Sequence, residues 1–218
     1  NLMKNEFLKR ILSSIVLIPL TLYVLIKGSL YFYIFLLLVF LISSYEWFKM
    51  SKNKFYNLYG FLFLFFSIFC THQLRFTFDN NFWPILIVTG ICVFTDIGGF
   101  IFGKMFKGPK LIKYSPNKTY SGLIGSFLFS LLLVPILLFF NLISFIQVNN
   151  LILFIIIISA SSQLGDIMIS YFKRISNIKD TGNLIPGHGG LLDRIDGMLF
   201  AFPVSYLLFQ TNLINYFS

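Results

Sequence analysis

Apolar runs long enough to enter a bilayer recur from one end of this 218-residue chain to the other, and no polar stretch between them is large enough to fold as a separate soluble domain. A helix that crosses lipid needs about 20 mostly apolar residues and satisfies its backbone polar groups within itself. About seven such runs can be drawn, over residues 11–27, 30–44, 56–71, 82–103, 122–145, 150–170 and 191–210. Hydrophobic residues make up 57% of the chain and charged residues 11%, against about 25% charged in an ordinary soluble domain. Mean hydropathy is +0.83. The expected fold is all-α: a polytopic integral membrane protein of about seven helices, forming one transmembrane domain over residues 1–218.

Charge orients this bundle. The N-terminus carries Lys4, Lys9 and Arg10; the second loop carries Lys49, Lys52 and Lys54. The fourth loop carries Lys104, Lys107, Lys110, Lys113 and Lys118. The sixth carries Lys173, Arg174 and Lys179, with Arg194 at the next helix start. Together these are 15 of the 17 basic residues; Lys27 and Arg75 alone lie on the other side. The bias predicts a cytoplasmic N-terminus and cytoplasmic even-numbered loops. The net charge of +9 therefore points to anionic headgroups and phosphates rather than to nucleic acid. The first run has no small-x-small cleavage site and is followed at once by another, so it reads as a retained signal anchor.

Cysteine carries no chemistry here. Cys70 and Cys92 lie inside apolar runs without a CxxC pattern and read as buried small hydrophobes. His72, at the outer edge of the third run, reads as interfacial.

Acidic residues are few, eight in all, and four of them fall in or at the ends of apolar runs: Asp96, Asp166, Asp193 and Asp196. A carboxylate at membrane depth costs about 2.5–3.5 kcal/mol on insertion scales, so each needs a partner, water or an ion. In the sixth run Gln163, Asp166, Ser170 and Lys173 follow at spacings of three, four and three, which lines them along one helical stripe. The stripe runs from an acid to the Lys173-Arg174 pair, the order a metal-bound phosphate requires. Asp193 and Asp196 are three apart and share a face of the seventh run. Two carboxylates on one helix facing a third on another make a hard-oxygen site suited to Mg²⁺.

Two polar segments flank these acids. Residues 179–190 read Lys-Asp-Thr-Gly-Asn-Leu-Ile-Pro-Gly-His-Gly-Gly, and glycines there let backbone N–H groups approach phosphate oxygens. On composition alone the same loop reads equally as a flexible connector. Earlier, Ser115-Pro116-Asn117-Lys118-Thr119-Tyr120-Ser121-Gly122 places a Lys beside a Thr just before a helix, where a helix N-terminus attracts phosphate. Its glycine spacing is not that of a Walker A loop. Gly99 and Gly103, four apart after Asp96, predict close helix packing.

Read together, Ser170-Tyr171-Phe172-Lys173-Arg174, Lys179-Asp180-Thr181-Gly182, Pro186-Gly187-His188-Gly189-Gly190 and Asp193-Arg194-Ile195-Asp196 resemble the motif of the phosphatidate cytidylyltransferases, in order and spacing across 27 residues. Gln163-Leu164-Gly165-Asp166 and Ser115-Pro116-Asn117-Lys118-Thr119 agree with it. The resemblance covers residues 96–197 and leaves residues 1–95 a mainly structural role. Where the family shows Trp-Glu after Lys-Thr, this chain has Tyr120-Ser121, and Lys104 stands where Arg is common.

The resemblance implies transfer of CMP from CTP to phosphatidate, giving CDP-diacylglycerol and pyrophosphate. It implies Asp166, Asp193, Lys173 and Arg174 as catalytic residues. Substrate contacts are expected from Asp96, Ser115, Lys118, Thr119, Ser170, Lys179, Asp180, His188, Gly189, Gly190 and Arg194. Asp166, Asp193 and Asp196 are expected to hold Mg²⁺, with Mn²⁺ as a substitute and a second, monovalent cation left open. Lys118 and Lys173 are both expected in solvated cytoplasmic positions. The implied partners are CTP, phosphatidate and the lipid bilayer, in a bacterial inner membrane; a homodimer stays open. A CTP-dependent lipid kinase is the nearest alternative, and the intact lysine–glycine–histidine loop argues against it. A transporter would put its charges near the midplane in both halves of the chain; here they gather at the ends of the later runs.

Overall fold

A computed structural model describes residues 2–76, 81–112, 115–140, 148–185 and 189–211. Its elements are α1 (Leu2–Lys27), α2 (Ser29–Ser51), α3 (Asn57–Phe76), α4 (Trp83–Phe106), β1 (Lys110–Ile112), β2 (Ser115–Thr119), α5 (Tyr120–Ser130), α6 (Leu133–Phe139), α7 (Val148–Ile175) and α8 (Leu192–Gln210). Each expected run is helical along the residues described, and residues 141–145 of the fifth lie outside them. The second and third extend beyond their apolar limits, because α2 continues through Glu46 and Trp47 to Ser51 and α3 through Arg75 to Phe76.

Among the described residues five spans are long and apolar enough to cross a membrane: α2, α3, α4, the α5–α6 pair as Tyr120–Phe139, and α7. Ile15–Lys27 of α1 is a shorter apolar helix by the same measure. The fold is thus polytopic and nearly all-α, and its one departure is informative. The fourth loop, expected without structure, folds back as the antiparallel β1–β2 hairpin, with Lys110 opposite Thr119 and Ile112 opposite Ser115. The fifth run is broken after Ser130. Pro135 has no N–H to give the carbonyl of Leu131, so α5 ends and α6 restarts.

The core forms where α4, α6, α7 and α8 meet: Val88, Ile91, Cys92, Leu137, Ile155, Ile158 and Ala201 are almost wholly buried. A second cluster joins the ends of α2 and α7 to the start of α8 through Trp47, Ile169 and Leu192. On α2, Leu30, Ile34, Leu37 and Leu41 are exposed at helical spacing, an apolar stripe of the kind that suits lipid. Cys70 and Cys92 are free thiols and buried, as expected.

Small residues set the tightest contact, between α4 and α5. A Cβ on Gly98 would lie 2.5 Å from the carbonyl oxygen of Gly125, and one on Gly99 2.7 Å from Ser126 Oγ. Gly103 approaches Gly122 in the same way. These glycines bring the hairpin and the start of α5 against the polar end of α4.

Candidate active site

The hairpin positions the first half of the site. Thr119 ends β2 and caps α5, its Oγ1 accepting from the Gly122 N–H at 3.1 Å. One residue earlier, Lys118 reaches back to α7, where its Nζ lies 2.9 Å from Asp166 Oδ2. Behind this pair is a cavity of about 300 Å³, lined by Thr95, Asp96, Ser115, Lys118, Thr119, Gln163 and Asp166 among others. Ser115, Lys118, Thr119 and Asp96, named above from the sequence, therefore share one cavity with Asp166.

The crossing of α7 and α8 positions the second half. A Cβ on Gly165 would lie 2.5 Å from the Asp196 carbonyl oxygen, and one on Gly197 2.4 Å from Ser162 Oγ. Only glycine permits this approach, and it sets the Asp166 carboxyl beside α8, 3.4 Å from where a Cβ on Gly197 would stand, one residue from Asp196. Asp196 accepts from the Gly197 N–H.

Asp193 turns the other way, toward the glycine-rich loop. Its Oδ1 takes the Lys173 ammonium at 2.8 Å, and its Oδ2 takes the N–H of Thr181 at 2.8 Å and of Gly190 at 3.1 Å. Gly189 has φ of +89°, and a Cβ there would meet Asp193 Oδ2 at 3.1 Å. The loop closes on itself through mutual Ile185–Gly189 backbone hydrogen bonds. Lys173 and Asp193 are only 12% and 5% exposed. Lys173 is thus largely shielded together with its acid, which corrects the expectation of a solvated ammonium: the loop donors that grip Asp193 close over the pair.

The remaining expected residues are more dispersed. Ser170 is half-buried on the same helix as Asp166 and Lys173, and Arg174 donates to the carbonyl of Ile178 at 3.4 Å. Lys179, Asp180 and Arg194 are exposed at the same end of the bundle. His188 lies outside the described residues.

The acids suit a cation. The Gly165–Gly197 crossing brings two acidic residues, Asp166 and Asp196, to one place between α7 and α8. Among the described residues no three His, Cys, Asp or Glu side chains form a complete metal site. Mg²⁺ asks for less, since one or two carboxylates and substrate phosphates complete its shell. The Asp193 carboxylate is occupied by the Lys173 ammonium and two loop N–H groups.

Comparison with known proteins decides the family. The model of the cytidylyltransferase family matches residues 8–77 and 54–212. The chain is 37% identical over 212 residues to a phosphatidate cytidylyltransferase of Rickettsia felis, covering 94% of this chain and 93% of that protein. It is 38% identical over 210 residues to one from Rickettsia typhi, covering 93% and 92%. Identity is 44% over 115 residues with one from Staphylococcus haemolyticus, covering 52% and 44%. The chain belongs to the cytidylyltransferase family.

Sequence reasoning missed one residue of this cytidylyltransferase: Glu46, near the end of α2. It is 3% exposed and accepts from Thr181 Oγ1 at 2.9 Å, Leu191 N at 2.9 Å and Leu192 N at 2.8 Å. The signal that marked the aspartates marks it as well, since it is a carboxylate set among Tyr45, Trp47 and Phe48. What hid it was its distance along the chain from every motif residue.

Proposed function

We propose that this cytidylyltransferase transfers CMP from CTP to phosphatidate, giving CDP-diacylglycerol and pyrophosphate at the cytoplasmic end of a bundle that crosses the inner membrane seven times. The observation that carries the reading is the pair of ion pairs, Lys118–Asp166 and Lys173–Asp193, at one end of the bundle. Each puts an ammonium beside a carboxylate, next to a cavity or a loop of backbone N–H groups. A triphosphate meeting a phosphomonoester needs that array of donors.

The lipid phosphate is already ionised at neutral pH, so no general base is required. One of its oxygens attacks the α-phosphorus of CTP. The bond to the α–β bridging oxygen breaks, and pyrophosphate leaves with the electron pair. Lys118, Lys173 and Arg174 bind phosphate oxygens, and Thr119 with the start of α5 adds N–H donors at a helix N-terminus. On substrate binding the two ammoniums turn from their aspartates to the phosphates. Asp166 and Asp196, with Asp193 once Lys173 turns away, would hold a divalent cation such as Mg²⁺, which would offset charge on the triphosphate. The acyl chains stay in lipid while the headgroup enters the site.

The test is product identity. Protein purified in detergent, given phosphatidate and CTP labelled at the α-phosphorus, yields labelled lipid and unlabelled pyrophosphate. Labelled CDP with an unlabelled lipid product would make the chain a lipid kinase instead.

A further inference from the structure

We propose that Glu46 is a positioning residue: its carboxylate holds the 179–190 loop and the start of α8 where Asp193 and Lys173 serve the reaction. The proposal rests on the nucleotidyl-transfer reading above. Glu46 lines neither the cavity nor the ion pairs, so it acts through the residues it holds.

Two carboxylates grip the same two pieces of backbone. Thr181 gives its hydroxyl to Glu46 and its N–H to Asp193. On the other strand of the loop, Gly190 gives its N–H to Asp193, while Leu191 and Leu192 give theirs to Glu46. Asp193 alone leaves the first N–H groups of α8 without a side-chain acceptor, and a carboxylate from another helix supplies it. Glu46 thereby does for α8 what its own N-cap, Leu191, does not.

The neighbours are cut to fit this carboxylate. A Cβ on Gly182 would lie 2.7 Å from Glu46 Oε1, and one on Gly190 2.5 Å from Oε2. Two of the loop's glycines are thus explained by Glu46 rather than by a phosphate. The next residue, Trp47, fixes the rotation of α2 that aims Glu46 inward. Its ring packs edge-on to Phe172 at 5.2 Å, and its Nε1 donates to the Asn57 carbonyl at 3.0 Å. Phe172 adjoins Lys173, so one rigid contact registers α2 against the Lys173 end of α7.

Three donors share two carboxylate oxygens, which a glutamine cannot accommodate. Its amide N–H₂ would face an N–H or O–H donor while its shape stays the same. Glu46→Gln therefore tests the acceptor and not the packing. We expect kcat per folded molecule to fall about 10- to 100-fold, the penalty of a small misplacement of catalytic groups. We also expect trypsin to cut the full-length Glu46→Gln protein faster after Lys179, which sits on the loop. Thr181→Val removes the hydroxyl without changing volume, and adding it to Glu46→Gln should cost less than it does in the wild type. Unchanged kcat in Glu46→Gln, unchanged cleavage after Lys179, or fully additive losses would each overturn the proposal. A wild-type protein that uses neither CTP nor phosphatidate sinks the activity reading instead, and the cleavage comparison then decides on Glu46. Should Glu46→Gln not fold, Thr181→Val alone, with the same two readouts, takes its place.

Discussion

Lys118 and Asp166 stand 48 positions apart in the chain, yet their side chains meet at 2.9 Å across the mouth of the cavity. The β1–β2 hairpin carries Lys118 there and α7 carries Asp166, so this one ion pair ties the only sheet among the described residues to the helical bundle. Both partners are partly solvated, at 29% and 21% exposure. Such a pair adds little to stability, about 0–1 kcal/mol. Lys118→Ala should therefore leave the thermal midpoint within about 2 °C of the wild type. It should still weaken CTP use by about 10-fold or more, the cost of a lost charge-assisted phosphate contact. Steady-state kinetics beside a melting curve in detergent separates the two, and unchanged kinetics would leave Lys118 with topology alone.

Lys173 should behave differently. It is largely shielded with Asp193, and truncating it strands a carboxylate that keeps only its two backbone donors. Breaking a buried pair costs about 3–5 kcal/mol, so Lys173→Ala should lower both the melting midpoint and turnover. Replacing both members, as Lys173→Met with Asp193→Asn, should recover stability but not activity. A single Lys173→Ala variant that melts like the wild type would show that the loop is open in solution.

The spans were legible in the sequence because a lipid-crossing helix is written as a continuous apolar run. The hairpin was not, since Lys110–Ile112 and Ser115–Thr119 gain their structure only by pairing with one another. Asp193 and Asp196 share a helix face, and spacing alone could not assign one to the loop and the other to α7. That division comes from the Gly165–Gly197 crossing, which seats Asp196 against Asp166 and leaves Asp193 to the loop. Glu46 was invisible for a related reason: its three donors lie at least 135 positions away.

The same crossing gives a stability prediction. Gly165→Val and Gly197→Leu each push a side chain into the facing helix, where a Cβ already stands 2.5 Å or less from a neighbouring atom. Overpacking of this kind costs about 1–3 kcal/mol, and here it also parts Asp166 from Asp196. Both variants should melt earlier and lose activity together. Gly90→Ala, whose Cβ would have no neighbour nearer than 4.0 Å, is the control and should do neither.

Orientation is tested independently of chemistry. The distribution of Lys and Arg predicts that a reporter active only outside the cytoplasm works when fused after Ser218 and fails when inserted at Lys107. The opposite result would place the site, with Lys118 and Asp166, on the outer face, away from any cytoplasmic nucleotide.

The carboxylates themselves give the strictest test. If a divalent cation sits at Asp166 and Asp196, then Asp166→Asn and Asp196→Asn remove charge with almost no change in shape. Each should lower turnover by orders of magnitude while leaving insertion and melting intact, because asparagine keeps the shape of aspartate and removes only its charge. Asp193→Asn should differ in kind. It loses the Lys173 ion pair and weakens an acceptor of two loop N–H groups, so it should lose stability as well as activity. Chelator should silence the wild type, and Mg²⁺ or Mn²⁺ should restore it. Mn²⁺ binding, followed by its paramagnetic signal in the presence of CTP, should be strong in the wild type and weak in both the Asp166 and Asp196 variants. Full Mn²⁺ binding by Asp196→Asn, with loss in Asp193→Asn, would move the cation to the Asp166–Asp193 side and make the Lys173 ammonium its placeholder. Full binding by all three variants would mean that none of these acids is a ligand, and the metal-assisted mechanism would be wrong.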